Sequence, residues 1–448
     1  MSDFLADTTQ GQQPQPGSHR APSAPPPFVP PPGVTPDGGA PTVADAVRSY
    51  AQRVRQGELG SLPAVLGIIL LTVVFAIAEP SLFSVSGLSD VLQQSAAPIT
   101  LAMGLVFVLL LGEIDLSAAV VGSTAAAFGV IWTVKHGTPW FVAIILAMLF
   151  GTVCGTALGW LRARLGIPSF VVTLAAYLSF QGVLDFIAGT SSGLDMGSNS
   201  VFFNLIGGRL SKVGGWIFLV LFVLGYALVK WFQRADRNRQ KLPVEAASIY
   251  WLRVGSLTVF GAVFVYLCNA NELSLAWQKR EGLYLGGVPW AVPIIAVLGV
   301  ILTFVLSKTR YGRHIYAVGG NTEAARRAGI PVRAVRTSVF AICSCMAAIS
   351  GLFLGSQVGA VNATSSLGNT LLLGVAAAVI GGTSLAGGRG RVMDAVLGGI
   401  ALTILIFGMS DLLKNNDNAQ WEDIVTGAVL LIAAGVDATS RHAGRASG

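Results

Sequence analysis

Apolar runs long enough to cross a bilayer recur along this chain, separated by short polar or glycine-rich breaks. Twelve can be placed, at 62–78, 96–112, 116–134, 140–160, 168–188, 213–232, 251–270, 288–306, 337–358, 366–385, 392–412 and 422–437. An amphipathic stretch, Leu88–Ala97, precedes the second. The pattern predicts an all-α, polytopic bundle of transmembrane helices. The pair 213–232 and 251–270 is separable: removing it would leave ten spans and the same orientation. One transmembrane domain then covers 61–440, with a longer middle section at 189–287 and a short tail at 441–448. Residues 1–42 hold eleven of the twenty prolines and no apolar run, so they read as a disordered tail rather than a signal peptide. Val43, Val47, Tyr50 and Val54 recur at helical spacing, which predicts a short interfacial helix before the first span.

Composition supports the same class. The chain is 53% hydrophobic and 11% charged, far below the roughly 25% charged residues of a soluble domain. With the N-terminus inside, 23 of the 29 Lys and Arg fall on the cytoplasmic side and 6 outside. Basic residues near span ends resist translocation, so this asymmetry puts both termini in the cytoplasm. The net charge of +7 lies between spans, which suits anionic membrane lipid rather than nucleic acid. Cys154, Cys268, Cys343 and Cys345 lie in or beside apolar runs, and the four histidines are scattered. Neither a disulfide framework nor a metal site is expected.

The most distinctive break is Ser307–Arg336, with seven Lys or Arg in thirty residues. Within it, Asn321–Gly329 reads as a short helix. Asn321 or Thr322 can cap it, Glu323 suits its first turn, and Gly329 before Pro331 ends it. A capped helix in a cytoplasmic loop suggests a docking surface. A solvated basic loop with no partner would look the same in composition.

Polar residues inside spans are fewer. Span five carries Thr173, Tyr177, Ser179, Gln181 and Asp185, and Ser350, Gln357, Asn362, Thr364, Ser365 and Asn369 lie around spans nine and ten. Unpaired polar groups are costly in hydrocarbon, so these face a wet cavity or bond one another across helices. Hydroxyls and amides suit a neutral, hydrogen-bonding solute. Glu113 and Asp115 have no Lys or Arg within fifteen residues. They could relay protons or cap the next helix, with Asp115 placed as an N-cap. Gly151, Gly155, Gly159 and Gly351, Gly355, Gly359 form two four-residue repeats that permit close helix approach, static or moving. Leu111–Ser117 and Ile380–Ala386 show a faint internal repeat, matching at Gly112/Gly381 and Leu116/Leu385. Chance among glycine-rich segments would produce a similar match.

No lysine follows a glycine, so the phosphate-binding G-x-x-x-x-G-K-[ST] loop is absent, and H-E-x-x-H is absent too. ATP-driven transport would therefore need an ATPase on another chain.

Four motifs stand in one order: G-E-I-D-L-S (Gly112–Ser117), G-I-P-S-F-V-V-T-L (Gly166–Leu174), T-R-Y-G-R-H-I-Y-A-V-G-G-N-T-E-A-A-R-R-A-G-I (Thr309–Ile330) and G-G-T-S-L-A-G-G-R-G (Gly381–Gly390). On these the chain resembles the membrane permeases of ribose/xylose/galactose-type ABC importers, across most of residues 80–440. Its long middle section looks like the xylose-type branch. Glu113 stands where that family usually has glycine. The resemblance implies a bacterial inner-membrane permease, not an enzyme, that moves a monosaccharide such as xylose by alternating access. It implies a permease homodimer, an ATP-binding subunit that holds the ATP and Mg, and an extracytoplasmic sugar-binding protein. The coupling helix would lie at Gly319, Asn321, Glu323, Ala324, Ala325 and Gly329, with Tyr311, Gly312 and Arg313 leading into it. The path would run along spans two, five, nine and ten, near Glu113, Asp115, Thr173, Tyr177, Gln181, Gln357 and Asn362. Two other readings stay open: an ABC permease for branched-chain amino acids, and a proton-coupled transporter titrating Glu113, Asp115 or Asp185.

Overall fold

The computed structural model describes residues 62–189, 193–196, 208–240, 247–269, 287–361 and 370–412, with scattered positions from 421 to 435. The proline-rich tail, the interfacial helix and most of span twelve lie outside the described residues, as do Asn362, Thr364, Ser365 and Asn369. Fourteen helices carry the architecture among the described residues: α1 (Leu62–Ala78), α2 (Val85–Gln94), α3 (Ala96–Leu110), α4 (Ala118–His136), α5 (Trp140–Leu165), α6 (Ser169–Ala188), α7 (Lys212–Arg239), α8 (Ala247–Asn269), α9 (Ala291–Lys308), α10 (Arg310–Gly320), α11 (Thr322–Arg327), α12 (Val332–Val358), α13 (Thr370–Ile380) and α14 (Val392–Leu412). Eight of them are long and apolar enough to span a bilayer, α2 and α3 together make a ninth such stretch (Gly87–Leu110), and two shorter apolar helices, α1 and α13, fill the first and tenth positions. Eleven of the twelve expected spans are therefore helices.

The chain's two ends of each span sort as the charge pattern requires. At one end, β1 (Leu194–Asp195) pairs antiparallel with β2 (Ala360–Val361), and Arg209 bridges to Pro289. At the other gather the turns after α3, α5, α9 and α13, the end where the basic residues concentrate.

α3 and α12 form the centre. Fourteen residues of α3 are buried, an all-round apolar helix enclosed by protein. α12 packs most extensively on α5, then on α3 and α4. The first glycine repeat makes the α5 contact possible: a Cβ at Gly151 would sit 2.6 Å from the Ser344 carbonyl, and one at Gly159 would sit 2.8 Å from Thr337 Cα. At Gly155 a Cβ would strike the Phe340 carbonyl. The second repeat does not form one such face. Gly351 meets Gly122 on α4, Gly355 meets Val361 and Met196, and Gly359 ends the helix.

Three expectations change. Residues 310–320 were expected as loop and form α10, because Thr309 Oγ1 accepts the Gly312 N–H at 3.0 Å and Ile315 and Val318 bury one face. Span nine begins five residues early, at Val332, once Gly329 and Pro331 have turned the chain. The cap of α4 is Ser117, not Asp115: Asp115 Oδ1 accepts the Ser117 N–H at 3.0 Å and its hydroxyl at 2.6 Å, closing a turn ahead of the helix.

Replacing Gly155 by Val overpacks the α5–α12 contact and is expected to cost about 1–3 kcal/mol in detergent unfolding. Gly225→Val, on a glycine with nothing within 4 Å, should leave the melting temperature nearly unchanged.

Candidate functional site

The site is the inner face, where α10 and α11 lie across the ends of the spans. Its apolar underside is set by helical spacing: Ile315, Val318 and Ala325 are buried against the central cluster that includes Leu110, Leu306 and Val335. Two phenols pin α10 from either side. The Tyr311 hydroxyl is 2.7 Å from Ser338 Oγ on α12, and Tyr316 donates to the Gly390 carbonyl at 2.7 Å. Burial pushes the Tyr311 phenol above its ordinary value, opposed by the Ser338 hydrogen bond, so it acts as a neutral donor or acceptor at neutral pH.

Gly319 is the closest approach. A Cβ there would strike the Leu110 carbonyl at the end of α3 and come within 3.0 Å of the Gly388 N. The same carbonyl accepts the Gly388 N–H at 2.8 Å. Backbone from α3, α10 and the loop after α13 therefore meets with no side chain between.

Asn321 caps α11, its Oδ1 accepting the Ala324 N–H at 2.9 Å, as the sequence foresaw. Gly329, at φ 80°, ends it with reversed hydrogen bonds from Gly329 N to the Arg326 carbonyl and from Ile330 N to the Ala325 carbonyl. Glu323 pairs with Arg326 at 2.8 Å and Arg327 at 3.4 Å, and all three are exposed. Arg313 and Ala324 are exposed as well, while Gly312 is buried in the corner between α9 and α10. The outward surface is thus polar and small-residued, over an apolar base. Such a surface can seat a protein and pass a push inward.

The internal repeat is real in backbone form, shifted by one residue. After α3, Gly112 N bonds to Leu109 O and Glu113 N to Val108 O; after α13, Gly382 N bonds to Val379 O and Thr383 N to Ala378 O. Gly112, at φ 69°, and Gly382, at φ 116°, hold the same place. The earlier pairing with Gly381 followed residue identity, whereas the turn follows the glycine that needs positive φ.

Glu113, 5% exposed, forms ion pairs through Oε1 with Arg162 Nη2 at 3.3 Å and Arg336 Nε at 3.0 Å. These arginines end α5 and begin α12, far from Glu113 in sequence, so a local window showed the acid as isolated. The triad clasps the inner ends of three elements. Asp115 is fully buried, and burial raises its carboxyl above the ordinary value against the Ser117 bonds.

Path candidates are spread more widely. Thr173 is buried, donating to the Ser169 carbonyl at 2.9 Å and lying 3.5 Å from the Ile114 carbonyl. Tyr177, Gln181 and Asp185 are half-buried along α6, and Gln357 is half-buried near the other end of α12. Ser350 is tied across helices, donating to the Ala97 carbonyl at 2.7 Å. α6 packs mainly on α4, so its polar residues and those of α12 sit on different contacts.

A profile described as branched-chain amino acid transport system / permease component matches residues 87–237 and 243–434. The chain belongs to this permease family. Among relatives, the xylose transport system permease protein of Haemophilus influenzae is 34% identical over 84% of this chain and 95% of its own length. The xylose transport system permease protein of Escherichia coli K12 is 36% identical over 80% and 86%. The ribose import permease protein of Escherichia coli K12 is 25% identical over 84% and 92%. No solved structure matches. As a member of this family the chain is a multi-pass permease of the bacterial inner membrane.

Glu113→Ala leaves two guanidiniums unpaired and should destabilise the permease by about 3 kcal/mol. Adding Arg162→Met and Arg336→Met should recover much of that loss; chemical unfolding of the single and triple variants checks both.

Proposed function

We propose that this permease is the membrane subunit of an ATP-binding-cassette importer carrying a monosaccharide, a pentose such as xylose, into the cell. The reading rests above all on the two xylose transport system permeases that match 80% or more of the chain at 34–36% identity. A second copy of the chain completes the pathway as a homodimer, with membrane lipid around it. ATP and Mg bind an ATPase subunit, and its docking surface is α10–α11 with Gly319, Asn321, Glu323, Ala324, Ala325 and Gly329 at the contact. A soluble sugar-binding protein delivers cargo on the opposite face.

Physical chemistry supports the division of labour. Closure of the ATPases displaces α11, and the close backbone contact at Gly319 hands that motion to the inner end of α3. The sugar meets hydroxyl and amide groups from Thr173, Tyr177, Gln181, Gln357 and Asn362, which can trade hydrogen bonds with its hydroxyls without desolvating a charge. Glu113, enclosed by two arginines, serves the inner end of the bundle as an electrostatic clasp. The family description keeps a branched-chain amino acid as the second reading for cargo.

Reconstitution with the ATPase subunit and sugar-binding protein, followed by labelled xylose uptake, tests this. The double variant Glu323→Arg/Gly329→Pro should insert normally and hydrolyse ATP, yet lose uptake by at least about tenfold, a barrier change of roughly 1.4 kcal/mol or more. Uptake at the unmodified rate would remove the docking assignment. Leucine transport without xylose transport would replace the sugar, and uptake driven by a pH gradient in the permease alone would replace the ATPase.

A further inference from the structure

The helix pair α7–α8 packs chiefly on itself, and on α7 only Gly215 and Leu219 are buried. Neither docking nor the proposed path uses it. At its cytoplasmic end the two helices form a pocket of about 100 Å³. Tyr226, Lys230, Arg234 and Arg237 approach it from α7, and Tyr250 and Arg253 from α8. The four from α7 recur at four, four and three residues, so they lie on one face. Lys230 and Arg234 are half-buried, Lys230 lying 5.9 Å from the centre of the Tyr226 ring. Tyr250 donates to the Ala227 carbonyl at 3.2 Å, which sets the spacing of the two helices at this level. Asp236 lies off that face and takes the Gln240 amide at 3.0 Å.

Positive-inside orientation alone would scatter these cations around the helix ends. Instead they converge on one concavity, and Lys230 and Arg234 sit well before the last turn of α7. The surrounding wall tells what reaches it. Trp231 and Trp251 are 56% and 62% exposed, and Leu228, Val229, Phe232 and Leu252 are exposed beside them. Exposed tryptophans over an apolar wall mark the interface between headgroups and acyl chains. An occupant at that depth carries a negative head and an apolar tail, and a basic pocket between helices on the cytoplasmic side fits it.

We infer that the cytoplasmic end of α7–α8 is a binding site for an anionic phospholipid of the inner leaflet, with Lys230, Arg234 and Arg237 holding the headgroup phosphate. Tyr226 and Tyr250 shape its floor, and the acyl chains lie along the exposed apolar faces. The bound lipid fastens this otherwise loosely attached pair beside the permease core. The inference depends on membrane orientation and not on which solute is carried.

The full-length permease is released from detergent in native mass spectrometry after incubation with phosphatidylglycerol or phosphatidylcholine. Phosphatidylglycerol should be retained over phosphatidylcholine, and Lys230→Gln/Arg234→Gln/Arg237→Gln should lower its retention about tenfold. A charge-matched variant away from the pocket, Lys308→Gln/Arg310→Gln/Arg333→Gln, should retain it like the unmodified chain. Equal retention of both lipids, or equal loss in the two triple variants, overturns the site in favour of diffuse attraction. Displacement of the lipid by millimolar inorganic phosphate, or capture of a second copy through Arg234→Cys cross-linking in place of lipid, overturns it as well. Should the pocket variant fail to fold, the single changes Lys230→Gln and Arg234→Gln must each lower retention, and unchanged retention in both counts against the site.

Discussion

The Leu110 carbonyl is where the molecule is tied together. It ends the most buried helix of the bundle, accepts the Gly388 N–H at 2.8 Å, and lies directly against Gly319 of the surface helix α10. Three chain segments distant in sequence meet there as bare backbone. A side chain at Gly319 would hold them apart. In lipid no hydrophobic force draws one helix to another, so close approach of small residues carries the packing. The same logic joins α5 to α12 through Gly151, Gly155 and Gly159, and α4 to α12 through Gly122 and Gly351. A bundle built this way leaves no flexible side chain between Gly319 of α10 and the Leu110 carbonyl of α3.

The polar chemistry is concentrated at the inner end for a related reason. Charges are costly within the membrane, yet at span ends they can pair and remain near water. Glu113, Arg162 and Arg336 use that margin to clasp the turn after α3 to the ends of α5 and α12. Its counterpart after α13 carries Thr383, whose hydroxyl lies 3.4 Å from Asp394 Oδ2, while Arg391 N donates to the same oxygen at 2.7 Å. Two related turns thus reach the same end by different means, one with an ion triad and one with a neutral hydroxyl and a helix cap.

Much of this was legible in the chain. Span positions follow from runs of apolar residues, which have one reading in a bilayer. The cap at Asn321 and the stop at Gly329 follow from local rules that involve a few neighbours. What escaped was non-local or masked by charge. α10 looked like loop because Arg310, Arg313 and His314 hide the Tyr311, Ile315 and Val318 spacing. Glu113 looked solitary because its partners lie at Arg162 and Arg336. The turn repeat matches at Gly381 by residue identity but at Gly382 by backbone conformation, which local sequence does not display. Polar residues such as Ser350 could not be assigned to path or packing, since only its bond to Ala97 separates the two.

The account stands on α11 facing the cytoplasm as the surface another chain grips. The most direct measurement is labelling of Ala324→Cys, in a chain whose native cysteines are replaced, by a membrane-impermeant maleimide. Labelling from the cytoplasmic side only, blocked when the ATPase subunit is bound, is the predicted result. Labelling from the outer side, or labelling that the ATPase subunit does not block, would contradict it.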